Sequence, residues 1–148
     1  MKVRAFLILA IALLAGCASV PRDASFASPE VTAADAATMA TDSAQHLAGA
    51  LPPAQTTLLL QPAKTDVLTD ALFRHLVDQG FGVIEANPRA KDAAPPSDAV
   101  SLRYLASPLE GGFVMRLQYQ GIEASRYYPR ATDGTLVPVA PFTVREAQ

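Results

Sequence analysis

The spacing of apolar residues predicts one helix with particular clarity, running from Asp66 to about Gln79. Its buried stripe consists of leucines four residues apart: Leu68, Leu72 and Leu76. Asp66 stands where an N-cap is expected, and Gly80 where a helix usually ends. Compact apolar runs on either side predict strands at residues 57–61 and 81–86.

From residue 100 onward the apolar period changes to two, which is the period of a strand with one buried face. Glycine-containing turns at 110–112 and 120–121 separate three such strands, at residues 100–105, 113–119 and 122–128. Asp133-Gly134 is a strong hairpin signal. Pro138 and Pro141 restrict the segment after this turn to an edge or irregular conformation, with 142–145 as a candidate final strand.

Before this region the pattern is weaker. Residues 32–53 form an alanine-rich segment that predicts a helix, with Thr32 as N-cap, Asp35 three residues later and two prolines ending it. The helix could lie against the domain or serve as a docking helix. Residues 17–31 lack a period and contain prolines and serines, as a flexible tether does. Residues 87–98, with three prolines, predict a surface loop.

These elements predict an α+β fold, a small antiparallel sheet of about five strands with one or two helices packed on one face. The chain divides into four parts. They are a signal peptide (1–16), a tether (17–31), the alanine-rich helix (32–53) and a small α+β periplasmic domain (54–148).

The first residues carry an export signal. Lys2 and Arg4 precede an apolar run over residues 5–15 and a small-residue cleavage site. That run is shorter than the roughly 20 residues that a helix needs to cross a bilayer. The run ends in Leu-Ala-Gly-Cys at residues 14–17, which resembles the lipobox of bacterial lipoproteins.

The lipobox implies that Cys17 receives a diacylglyceryl thioether and becomes the new N-terminus after cleavage. A thiolate is the nucleophile for such a transfer, and Cys17 is the only cysteine. The alternative is an ordinary signal peptide that happens to contain a cysteine. Ala18 stands where an aspartate would retain a lipoprotein at the inner membrane, so the sorting rule points to the outer membrane. More than one acyl chain, palmitate for example, gives stable anchoring.

Composition narrows the choice of partners. Removal of the signal leaves 132 residues with 10 basic and 14 acidic side chains, a net charge of −4. That length suits one small domain, and that charge argues against direct binding of nucleic acid, whose partners are usually basic. With one cysteine no intramolecular disulfide can form, so one hydrophobic core has to stabilise the domain.

No pattern of catalytic or metal-binding residues stands out, and we predict neither an enzyme nor a cofactor. His46 and His75 lack spaced partners and are interpreted as surface or boundary residues rather than zinc ligands. Asp66, Asp70 and Asp78 are interpreted as a helix cap and solvent-exposed charges. Two interpretations remain for Tyr127-Tyr128 with Arg126 and Arg130: a binding surface, or half-buried aromatics flanked by solvated arginines.

The chain resembles the TrbH conjugal transfer lipoproteins, which are encoded with the mating-pair-formation proteins of plasmid type IV secretion systems. The resemblance covers the chain from about Leu58 onward. It depends on the lipobox, the strand-Pro-helix run over 58–83 with Gly80-Phe81, and the meander with Gly121, Ser125-Arg126-Tyr127 and the ending at 142–145.

The resemblance implies a non-enzymatic part of the outer-membrane end of a transfer channel. The lipid would hold the domain at the periplasmic face of the outer membrane, where it would contact larger channel subunits. The alternative is a stand-alone periplasmic lipoprotein that binds a small molecule or assists envelope assembly. Transfer genes on both sides of this gene would favour the first interpretation.

Overall fold

The computed structural model describes residues 24–86 and 94–147, which form two helices, a short 3₁₀ turn and seven strands. In chain order the elements are β1 (Phe26–Ala27), α1 (Ala33–Ala50), the 3₁₀ turn (Pro53–Gln55), β2 (Thr57–Leu60), α2 (Val67–Asp78), β3 (Gly82–Glu85), β4 (Val100–Leu109), β5 (Gly112–Tyr119), β6 (Ile122–Tyr128) and β7 (Thr143–Glu146).

The strands form one mixed sheet in the order β3-β2-β4-β5-β6-β7, with β1 also paired to β4. Strands β4 to β7 are antiparallel, whereas β1, β2 and β3 run parallel to their neighbours. β2 pairs with residues 100–102 of β4 and β1 with residues 105–106. The α+β class is confirmed, but the sheet is larger than the predicted five strands and is not purely antiparallel.

The parallel part of the sheet has a physical cause in the connection between β2 and β3. α2 joins these strands, and a helical crossover returns the chain so that the second strand can run parallel to the first. The sequence shows this order as two short apolar runs on either side of a helix, the usual pattern of such a unit. β1 is not evident from the sequence because two residues are too few to display a period of two.

Both helices begin at the predicted caps. The Thr32 hydroxyl accepts a hydrogen bond from the backbone N–H of Asp35, whose carboxylate accepts one from Thr32 N–H, both at 3.2 Å. At α2, Asp66 Oδ1 accepts from two backbone N–H groups at 3.0 and 2.9 Å. Gly80 follows α2 with a φ of 94°, a conformation that glycine adopts without strain.

The predicted turns of the meander are also present. Glu110-Gly111 joins β4 to β5 and Gln120-Gly121 joins β5 to β6, with positive φ at all four residues, as in the two-residue turns that match strand twist. Asp133-Gly134 forms a turn as well, in which Thr135 N–H donates to Asp133 Oδ1 at 2.9 Å. An irregular segment follows it, and the final strand is β7.

One hydrophobic core lies between the two helices and one face of the sheet, which we call the helix-covered face. Alternate residues of β4, β5 and β6 point into it: Leu102, Tyr104, Ala106, Phe113, Met115, Leu117, Tyr119, Ala124 and Tyr128. The predicted stripe of α2 is confirmed, because all three of its leucines are fully buried. The opposite side of the sheet, which no described helix covers, is the open face.

The end of the predicted tether belongs to this fold, which corrects the tether's boundary at residue 31. Ser25 N–H donates to the Gln61 carbonyl at 2.8 Å, β1 pairs with β4, and Val31 is buried. α1 packs into the same core as α2 through small side chains, Met39 and Leu47, so residues 32–53 and the region from residue 54 share one core. Small residues let the helix approach closely.

Candidate functional site

Cys17, the predicted lipidation site, lies outside the described residues, so its acylation stays a prediction. The other polar residues of interest can be placed. They fall into three groups: contacts between α1 and the helix-covered face, the solvent side of α2, and a row of polar side chains across the open face.

The densest polar group lies between α1 and β6, and we call it the interlayer cluster: Asp42, His46, Tyr119, Arg126 and Tyr128. Arg126 Nη1 donates to both carboxylate oxygens of Asp42 at 2.6 Å. The Tyr128 hydroxyl donates to Asp42 Oδ2 at 2.5 Å. The side chains of Arg126 and Asp42 are only 16% and 19% exposed, so this ion pair is largely shielded from water.

The lower part of the interlayer cluster is aromatic. His46 Nε2 lies 3.0 Å from the Tyr119 hydroxyl, and the His46 ring stacks on Phe142 with centroids 4.4 Å apart. Burial lowers the pKa of His46, while the charges of Asp42 and Arg126 act in opposite directions. The neutral imidazole is therefore favoured in the folded protein.

A second ion pair joins Asp35, in the first turn of α1, to Arg130, which follows the end of β6. Arg130 donates through both terminal nitrogens to the two oxygens of Asp35, each at 3.0 Å, a bidentate geometry that is strong for its class. Burial would raise the pKa of Asp35, but the hydrogen bonds from Arg130 and Thr32 outweigh it and hold that pKa below its ordinary value. Arg130 also donates to the Gly134 carbonyl and so holds the last turn.

These contacts decide between the two interpretations of the Arg126–Arg130 region. Arg126 and Arg130 bind carboxylates of α1, Tyr128 is buried on the helix-covered face, and Tyr127 lies on the open face. Both arginines therefore join the two layers, while Tyr127 and the exposed Arg130, which also lines a surface depression, are placed where they can meet a ligand outside the core.

The chemistry of the interlayer cluster is that of a structural joint. Burial, together with the hydrogen bond and charge of Asp42, raises the pKa of Tyr128 well above its ordinary value, so the phenol stays protonated and keeps donating. Three surface depressions have volumes of about 340, 220 and 370 Å³, and the third includes Tyr119 in its lining, whereas Asp42, His46 and Tyr128 line none of the three.

The remaining candidate residues lie on or near α2. His75 is half-buried with its ring nitrogens 3.3 and 3.5 Å from the Thr41 hydroxyl, so it belongs to the contact between the helices. Asp66 is the N-cap of α2, and Asp70 and Asp78 are exposed. Within residues 24–86 and 94–147, no group of three or more potential ligands is arranged to hold a metal ion.

A row of polar side chains crosses four strands on the open face. Arg103 donates to Gln118, Gln118 donates to Glu123, and Arg145 donates to Glu123, with Nε to Oε1 at 3.0 Å. The hydrogen bonds from Gln118 and Arg145 hold the pKa of Glu123 below its ordinary value. Arg103 Nε also donates to the Ala24 carbonyl at 3.3 Å, so this row contacts the first described residue.

The fold and its polar contacts define a class: a two-layer α+β domain whose helix layer is joined to the sheet by ion pairs. None of its described helices is long and apolar enough to cross a membrane. The family model for the conjugal transfer protein TrbH matches residues 20–147. The chain therefore belongs to the TrbH family of conjugal transfer proteins. Searches of curated proteins and of solved structures gave no match.

Proposed function

We propose that this protein is an outer-membrane lipoprotein and a structural component of a conjugative type IV secretion channel, the apparatus of mating-pair formation. The observation that carries the proposal is the family match over residues 20–147, which begins three residues after the lipobox cysteine. Membership in a family of transfer proteins supports a role in conjugation. The lipobox supports anchoring to a membrane through Cys17, and Ala18 supports sorting to the outer membrane.

The architecture suits a domain held close to a membrane. β1 fixes the chain to the sheet from Ser25 onward, and Cys17 lies only eight positions earlier. A fully extended chain gains at most about 3.6 Å per residue, so the anchor would hold Ser25 within roughly 30 Å of the lipid surface. Tethering of this kind raises the local concentration of the domain for membrane-bound subunits.

The fold also supports a structural rather than a catalytic role. The polar residues that share the helix-covered face are joined to one another in ion pairs and hydrogen bonds, and these contacts bind the two layers together. Rigid layers of this kind can present fixed surfaces to larger subunits. We propose that those subunits belong to the periplasmic and outer-membrane parts of the channel.

Lipidation is tested by Cys17→Ser. Because a serine hydroxyl does not replace the thiolate nucleophile, we expect the variant to remain at precursor mass and to incorporate no labelled fatty acid. The unchanged chain is the positive control. Normal labelling of the variant would contradict the anchor at residue 17.

The role in transfer is tested with a cognate conjugative plasmid. Deletion of the gene should lower DNA transfer, the wild-type gene should restore it, and Cys17→Ser should restore it poorly because the domain loses its membrane concentration. His75→Ala and Asp70→Ala, at exposed or half-buried positions without a ligand site, should restore transfer nearly as well as wild type. Unchanged transfer after deletion would contradict the proposal.

A further inference from the structure

The two sides of the domain carry opposite charge. Alternation along the paired strands places three arginines on the open face, namely Arg103, Arg116 and Arg145. Glu123 is the only acidic residue of these described strands on that face, and it is buried beneath Arg145. The helices carry four aspartates, but Asp35 and Asp42 are paired with Arg130 and Arg126. Asp70 and Asp78 against Arg74 therefore leave the outer side of the helix layer weakly acidic, and the whole chain has a net charge of −2.

The open face also has an apolar component. Phe26 is 36% exposed, and Leu105, which pairs with it, is half-buried. In the next row Val114 pairs with Tyr127, and both are half-buried. Arginines with long stems beside tyrosine and aliphatic side chains suit the boundary between lipid headgroups and hydrocarbon, because each residue has an apolar body and a polar end.

The chain joins the sheet from this same side. Ser25 N–H donates to Gln61, directly after β2, so β2 occupies the edge of β4 that an upstream extension of β1 would need. The Ala24 carbonyl instead accepts from Arg103, whose side chain lies on the open face. Cys17 precedes Ala24 by seven residues, and an extended chain of that length spans at most about 25 Å.

We propose that the open face docks on anionic lipid headgroups of the leaflet that holds the acyl chains of Cys17. This inference rests on the proposed acylation of Cys17. The short connection confines the domain to the membrane surface, so a weak contact suffices to orient it. Arginines are attracted to anionic headgroups over about one Debye length, roughly 8 Å at physiological salt. The acidic helix layer then faces away from the membrane.

The orientation can be read with an environment-sensitive fluorophore. Ser107 is exposed on the open face, and Gln45 is exposed on α1. Ser107→Cys and Gln45→Cys are labelled separately in the lipidated protein, whose Cys17 is blocked by acylation, and inserted into the outer leaflet of preformed vesicles. We expect the Ser107→Cys label to shift to shorter wavelength in vesicles containing equal phosphatidylcholine and phosphatidylglycerol, and to lose the shift in high salt. The Gln45→Cys label should not shift.

Matched charge reversals test whether the charge of the open face causes the docking. Arg116→Glu on the open face should lower the docking equilibrium roughly thirtyfold at low salt, because each charge near an anionic surface changes it about fivefold. Arg74→Glu changes the net charge equally, but it lies on the exposed side of α2 and should leave the shift unchanged.

Three results would overturn the proposal. The first is equal emission from both labels in anionic vesicles. The second is a Ser107→Cys shift that persists in phosphatidylcholine alone, which would mean that the contact does not depend on anionic headgroups, or short-wavelength emission before vesicles are added, which would mean that the protein itself covers the face. The third is equal loss of the shift in Arg74→Glu. The mass of the purified protein reports acylation separately, so a missing anchor is distinguished from a face that does not dock.

Discussion

The helix-covered face and the open face are made by alternate residues of the same strands, yet their side chains differ in burial and in the contacts that they make. On the helix-covered face, two ion pairs fix α1 beside the buried apolar residues: the largely shielded Asp42–Arg126 pair and the pair between the buried Asp35 and the more exposed Arg130. On the open face, arginines and half-buried apolar residues remain at the surface. The difference indicates that one face specifies the fold, while the other can accept substitutions for the sake of binding.

The largest expected difference between the two faces is the loss of stability when a carboxylate replaces a leucine on each of them. Leu72→Asp puts an unpaired charge in the centre of the core, which costs several kcal/mol, a large part of the roughly 5–15 kcal/mol that stabilise a domain. Leu105→Asp on the open face stays accessible to water and should cost about 1–2 kcal/mol.

Urea unfolding followed by circular dichroism measures both variants. The chain should begin at Cys17, because a shorter fragment without β1 and α1 would expose their binding sites in the core. Equal loss of stability in the two variants would show that the open face is also part of a buried core.

The second prediction concerns the interlayer cluster. Asp42→Ala leaves the largely shielded Arg126 and the Tyr128 hydroxyl without their acceptor, and should lower the free energy of unfolding by about 2–4 kcal/mol. The double variant with Arg126→Met should be more stable than Asp42→Ala alone, since it removes the unpaired charge.

Asp78→Ala, at an exposed position of α2, is the matched control and should change stability by less than about 0.5 kcal/mol. A double variant as unstable as the sum of its single variants would mean that Asp42 and Arg126 are not coupled.

The acid limb of the stability curve should separate the two faces as well. The pKa of Asp35 is lowered in the folded protein, so its ionised form contributes stability above its ordinary pKa of 3.8, and this is lost as the pH falls through the folded value. Asp35→Asn should therefore flatten the pH dependence in that region.

The open-face counterpart is Glu123, whose lowered pKa predicts the same sign. Its partner Arg145 is 67% exposed, whereas Arg130 beside Asp35 is 32% exposed, so salt should screen the Glu123 pair more strongly. Stability measured against pH at two salt concentrations should show a larger salt effect for wild type than for Glu123→Gln. An identical salt effect in the two proteins would contradict the assignment.

Sequence alone predicted the local parts of this fold because each depends on a few neighbouring residues. Short-range hydrogen bonding explains the helix caps at Thr32 and Asp66. Backbone freedom of glycine explains the end of α2 at Gly80 and the turns of the meander. The parallel pairing of β2 with β4 and the inclusion of β1 depend on long-range contacts that no local pattern records.

The interlayer cluster and the Asp35–Arg130 ion pair were not predicted, although the residues that α1 contributes to them have a recognisable spacing in the sequence. Asp35, Asp42 and His46 are spaced by seven and four residues and so share one face of a helix. An alanine-rich helix has no strong apolar stripe to orient it, so the direction of that face is not evident from the sequence. Their partners Arg126 and Arg130 are candidates on the sequence alone, but only the fold brings the two sets together.

The smallest expected effect is that of Arg116→Glu on stability, and it separates folding from function most directly. Arg116 lies in the central strand of the meander but is exposed on the open face, beside Leu105 and Ser125. A reversed charge there is solvated, so the free energy of unfolding should change by less than about 0.5 kcal/mol. The same substitution should strongly weaken membrane docking. If Arg116→Glu instead unfolds the domain as Leu72→Asp is expected to, the open face is required for the fold, and a surface reserved for lipid does not exist.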